Sequence, residues 1–160
     1  MKLRAAIPLL SAVALLAVGA CEDDPSGPVL ERSFTVSMTG PKEVPPVTTA
    51  ATGTATFTLD AAETTLSYSI SVQNMSSNIT AAHIHLGRSG VAFAGNIIIA
   101  LTTPVNNSTV TGTITSSATL GLGLTWNSLI DLIRNGDTYV NVHTMINGAG
   151  EIRGQIDSTP

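Results

Sequence analysis

The chain has 160 residues, a formal charge of −4, a single cysteine, and 43% hydrophobic against 11% charged residues. That length holds one domain with a real core once an N-terminal segment is set aside, and a remainder rich in Thr, Ser and Gly suits short strands and tight turns rather than a helical bundle. The acidic balance gives no electrostatic reason to bind nucleic acid, which needs clustered Lys and Arg, and the lone Cys21 allows no internal disulfide.

Residues 1–20 read as an export signal. Lys2 and Arg4 form a positive start, and the apolar stretch that follows is too short and too alanine-rich for a comfortable membrane span. It ends Val18-Gly19-Ala20-Cys21, which resembles the bacterial lipobox, where a diacylated cysteine becomes the first mature residue. The competing reading is an ordinary secretory signal that leaves Cys21 as a free thiol. Residues 21–32, with acidic residues and Pro25-Ser26-Gly27-Pro28, cannot bury apolar area and act as a tether. The expectation is a protein lipid-anchored in the bacterial cell envelope, on the periplasmic or surface side, with one domain over residues 33–157.

From Ser33 the hydrophobic period becomes two. Phe34, Val36 and Met38 mark a first strand that Gly40-Pro41 ends, and Glu43-Val44-Pro45-Pro46-Val47 predicts an extended, non-pairing segment covering a sheet edge. Ala55, Phe57 and Leu59, then Leu66, Tyr68, Ile70 and Val72, predict a hairpin around Asp60-Ala61-Ala62-Glu63. Five further strands are expected at residues 81–86, 96–101, 109–116, 138–144 and 151–156, with Ile97-Ile98-Ile99 pointing to burial on both faces. One helix is expected over residues 127–134, capped by Asn127 or Ser128 and ended by Gly136, with Trp126 as a core anchor beside it. Asn74, Asn78 and Asn107 begin glycan-acceptor triplets, which Ser/Thr/Asn-rich loops produce by chance and which a bacterial lipoprotein would not use.

All three histidines fall in two of these strands, as Ala82-His83-Ile84-His85-Leu86 and Tyr139-Val140-Asn141-Val142-His143-Thr144. On a strand, residues two apart share a face, so His83 and His85 point together and away from Ala82, Ile84 and Leu86. The same alternation puts Tyr139, Asn141 and His143 on one face, and Glu151, Arg153 and Gln155 join them from the last strand. The expected result is a polar wall outside the hydrophobic core. Its three imidazoles suit copper or zinc; equally, they suit a metal-free hydrogen-bonded cluster with Glu151, Thr144 or backbone carbonyls.

Taken in order, Lys42-Glu43-Val44-Pro45-Pro46-Val47, Thr80-Ala81-Ala82-His83-Ile84-His85-Leu86-Gly87, Tyr139-Val140-Asn141-Val142-His143-Thr144 and Gly150-Glu151-Ile152-Arg153-Gly154-Gln155-Ile156 resemble the CHRD domain named after chordin. In that family the domain occurs repeated in chordin, an extracellular antagonist of bone morphogenetic proteins, and singly in exported bacterial proteins. The resemblance implies an all-β, immunoglobulin-like Greek-key sandwich, distantly similar to copper/zinc superoxide dismutase, with one short helix. It further implies His83 and His85 as a copper-type pair, His143 as a third ligand, and Arg153 in the place of an anion-guiding arginine. No histidine is left for a bridging position, and no zinc loop or bracing cysteine pair is present, which argues against dismutase activity.

The reading that results is a non-enzymatic envelope lipoprotein, a binding module for a periplasmic or extracellular protein partner with a candidate metal site at His83, His85 and His143. Glu43, Asn141, Glu151 and Arg153 are the expected surrounding residues, Glu43 as an acceptor that orients an imidazole N–H. The alternatives are a copper-binding protein or superoxide dismutase-like enzyme, and a purely structural spacer.

Overall fold

A computed structural model describes residues 30–88 and 95–157; the signal segment, Cys21 and most of the tether lie outside them. Among the described residues are eight strands: β1 (Ser33–Thr39), β2 (Thr52–Leu59), β3 (Thr65–Gln73), β4 (Ile79–Leu86), β5 (Ile97–Leu101), β6 (Thr109–Thr115), β7 (Thr138–Thr144) and β8 (Ile152–Ile156). One helix, α1 (Trp126–Arg134), lies between β6 and β7.

The strands pair into one antiparallel sheet in the order β5-β4-β7-β8-β1-β2-β3-β6. Its two halves of four strands meet at the single pair Thr39↔Arg153 between β1 and β8. Because alternate residues face alternate sides, Phe34, Val36 and Met38 of β1 gather with Phe57, Leu66 and Ile70 from one half and Ile84, Val140 and Ile152 from the other in one buried core. The sheet therefore curls on itself into a nearly closed, barrel-like body. α1 lays Leu129, Ile130 and Ile133 against this core, and Trp126 packs on its margin while donating from Nε1 to the Glu63 carbonyl at 2.6 Å.

The structure corrects three expectations. The Thr125 side chain, two to three residues ahead of the anticipated caps, accepts from Ser128 N and begins α1 a residue early. The triple isoleucine is not buried twice over: β5 is an edge strand, with Ile98 in the core and Ile97 47% exposed. The segment after β1 is no extended edge cover, since a short 3-10 turn at Gly40–Lys42 leads into a loop in which Glu43 N and Val47 N both donate to Gly40 O. The polar face of β7 lies outside the hydrophobic core and is nevertheless covered, since every residue of β7 is buried.

Candidate metal centre

Three loops fold over the polar face of β4, β7 and β8 and account for its burial. The loop after β1 brings Glu43, the segment entering β5 brings Gly95, and the β7–β8 turn brings Gly148 and Gly150. Across the strands the register sets His83 opposite Asn141, His85 opposite Tyr139, and Asn141 opposite Arg153. The pairing of β4 with β5 slips between Ile84 and His85, a bulge-type irregularity of the kind that re-aims a side chain. The His83 and His85 rings thereby meet edge to face, 5.4 Å apart.

One nitrogen from each of His83, His85 and His143 lies within 4.8 Å of the others. Two of these rings are aimed by backbone carbonyls. His85 Nδ1 is 2.8 Å from Gly95 O, and His143 Nδ1 is 3.1 Å from Gly148 O. A carbonyl can only accept, so both Nδ1 atoms carry the proton and both Nε2 atoms present lone pairs to the cluster. His83 Nδ1 closes the group at 3.0 Å from His143 Nε2. His85 is 6% exposed, and its Nε2 is a buried acceptor without a hydrogen-bond partner. Leaving such an atom unpaired costs about 1–3 kcal/mol, which a bound cation would offset.

The electrostatics favour the neutral form of all three rings. Burial is the main cause that lowers each imidazole pKa; His83, also repelled by His143 and His85, is pushed down to about 4. All three are therefore neutral near pH 7, as coordination requires. Tyr139 lies parallel to His85 with ring centres 4.9 Å apart, and its hydroxyl accepts from Gly95 N at 2.9 Å. Gly95 thus holds both rings, Tyr139 through its N–H and His85 through its carbonyl.

The residues expected around the histidines take separate places. Arg153 is 4% exposed, with its guanidinium carbon 3.3 Å from the Tyr139 ring centre, and among the described residues it makes no ion pair. Glu43 is buried beside Asn141 rather than beside an imidazole. Burial pushes its pKa up to about 7, against the opposing pull of Arg153, the Val44 N–H and the Asn141 amide. Glu151, fully buried, accepts from Thr49 Oγ1, Ser76 N, Ser76 Oγ and Thr144 Oγ1, so it ties loops together away from the imidazoles. Gln155 donates to the carbonyls of Gly87, Gly136 and Thr138. Sequence reasoning missed Gly95 and Gly148, whose backbone oxygens no side-chain pattern advertises.

Residues 34–156 match the family model described as CHRD domain. No curated protein and no solved structure matches the chain.

Proposed function

The chain belongs to the CHRD domain family, and we propose that it is a non-enzymatic cell-envelope lipoprotein whose domain binds copper or zinc through His83, His85 and His143. The observation that carries this reading is the convergence of three neutral imidazoles on one point, with His85 Nε2 buried there and unpartnered. Carbonyl-held tautomers are the usual way to orient ligating imidazoles, and three protein ligands with an open position suit either metal. Once bound, such an ion would supply an electrophilic centre and hold the three loops over the polar face. The Greek-key sandwich, of the immunoglobulin or superoxide dismutase kind, belongs to this proposal as the reading of the curled sheet.

On this account Cys21 carries the lipid, and residues 21–32 hold the domain off the membrane toward a periplasmic or extracellular partner. A dismutase-like enzyme would need Arg153 open to an arriving anion. Its near-complete burial against Tyr139 favours a binding role instead. The test is metal content of the whole chain purified in mild detergent, together with the mass of its mature N-terminus. One copper or zinc per chain and a diacylated Cys21 that is lost in C21S support the reading. A metal-free, unacylated chain contradicts it, and redox turnover with added copper moves the assignment to an enzyme.

A further inference from the structure

Asn141 occupies the middle of the polar face. It stands between His83 on β4 and Arg153 on β8, with Tyr139 and His143 two residues away on its own strand. Side chains paired across antiparallel strands, or two apart on one strand, project from the same face, so the Asn141 carboxamide and the imidazoles share one layer. It is 2% exposed, and its Oδ1 is buried with no hydrogen-bond partner.

Two orphan acceptors therefore occur together. His85 Nε2 is a lone pair because Nδ1–H is committed to Gly95 O, and Asn141 Oδ1 is unpaired on the same face, one register step away opposite His83. Neither atom can satisfy the other. A bound cation satisfies both, since an amide oxygen is a competent ligand beside imidazoles for a divalent ion.

The opposite end of the amide is also built for. Gly150, at φ +130°, leaves space in which an added Cβ would stand 2.5 Å from Glu43 Oε1 and 2.8 Å from Asn141 Nδ2. Glu43 Oε1 and the Nδ2 end of Asn141 thus both border the gap that Gly150 provides. A carboxylate there favours an N–H neighbour, which turns Oδ1 away from Glu43 and toward the histidines. In its ionised form Glu43 would repel the oxygen of a reversed amide.

We propose that Asn141 Oδ1 is the fourth donor of the metal centre, completing an N3O set with His83, His85 and His143, and that Glu43 and Gly150 hold it in that orientation. This inference rests on the three-histidine reading. An N3O set selects a divalent ion, Cu(II) or Zn(II), over Cu(I), for which imidazoles alone suffice.

The experiment loads the whole chain in detergent with one equivalent of Cu(II), Zn(II) or Cu(I), for the native sequence, Asn141→Ala, Asn141→Asp and Glu43→Gln. Asn141→Ala is expected to weaken Cu(II) and Zn(II) by about 10–100-fold, the size typical for a supporting group of a metal site, while moving Cu(I) by less than about threefold. Its Cu(II) electron paramagnetic resonance spectrum should change in g and copper hyperfine splitting. Asn141→Asp preserves shape, so it guards against a variant that fails to fold, and it should bind Cu(II) with a third, distinct spectrum. Glu43→Gln should keep metal but broaden the spectrum, through a less well fixed donor. Native protein that binds Cu(II) with the same affinity and spectrum as both Asn141 variants overturns the fourth-donor assignment alone. Native protein that binds no metal overturns the histidine site, and the fourth donor with it.

Discussion

His83 Nδ1 lies 3.0 Å from His143 Nε2, and His143 Nδ1 in turn lies 3.1 Å from Gly148 O. The carbonyl places the proton of His143 on Nδ1, so its Nε2 accepts and His83 Nδ1 must donate. In the metal-free protein His83 is therefore the Nδ1–H tautomer, and ligation through that atom requires its proton to move to Nε2.

The first prediction concerns this tautomer. Nitrogen-15 NMR of the metal-free chain should show all three histidines neutral at pH 7 and protonated on Nδ1. Zinc should convert His83 alone to the Nε2–H form while His85 and His143 keep theirs. A His83 that is already Nε2–H without metal contradicts the hydrogen-bond assignment.

The second concerns acid. The unfolded chain takes up protons on its histidines near the ordinary value of 6.5, whereas folded His83 refuses one until about pH 4. The unfolded state binds more protons between those limits, so stability is full above about pH 6.5 and falls as pH drops through this window. Denaturant melts of the metal-free protein from pH 8 to pH 4 should show that decline. The His83→Ala variant should show a shallower one.

Glu43 gives the opposite sign. Its pKa is raised from 4.5 to about 7 in the folded protein, so the folded state holds a proton that the unfolded state has lost, and stability falls as pH rises from about 4.5 to 7. Glu43→Gln removes that loss. The variant should gain stability relative to the native chain as pH rises across the window, with the difference constant above pH 8. A difference independent of pH would show that Glu43 ionises freely.

Glu151 is the structural counterpart. Its four hydrogen bonds join the loop after β1, the β3–β4 loop and the end of β7, and hydrogen bonds to a charged group contribute about 1.5–3 kcal/mol each. Glu151→Ala strands four buried or half-buried donors and should cost about 3–5 kcal/mol in urea unfolding, with Glu151→Gln in between. Loss of metal binding without loss of stability would instead place Glu151 at the metal centre.

Much of this was legible in the chain. Alternation along Phe34–Met38, Ala55–Leu59 and Leu66–Val72 located the strands, because one buried face imposes a period of two. It also put His83 and His85 on one side of β4 and Tyr139, Asn141 and His143 on one side of β7. What the alternation could not supply was the fate of that side. Alternation says only that a polar face lies off the core, and its burial depends on Glu43, Gly95 and Gly148 arriving from loops remote in sequence. Likewise, the slip in pairing at His85 and the cap at Thr125 depend on hydrogen bonds made in three dimensions. Ile97-Ile98-Ile99 misled because apolar content alone does not reveal that β5 ends the sheet.

The central claim is most directly tested by thermal unfolding of the whole chain in detergent, with and without zinc or copper, beside the His83→Ala/His85→Ala variant. Metal at about one hundred times its dissociation constant stabilises a folded site by about 2.7 kcal/mol, which raises the melting temperature of a domain this size by about 10 °C. The account predicts that rise for the native protein, with one ion per chain, and none for the variant. Equal melting temperatures for the native protein with and without metal, and no bound ion, would contradict it.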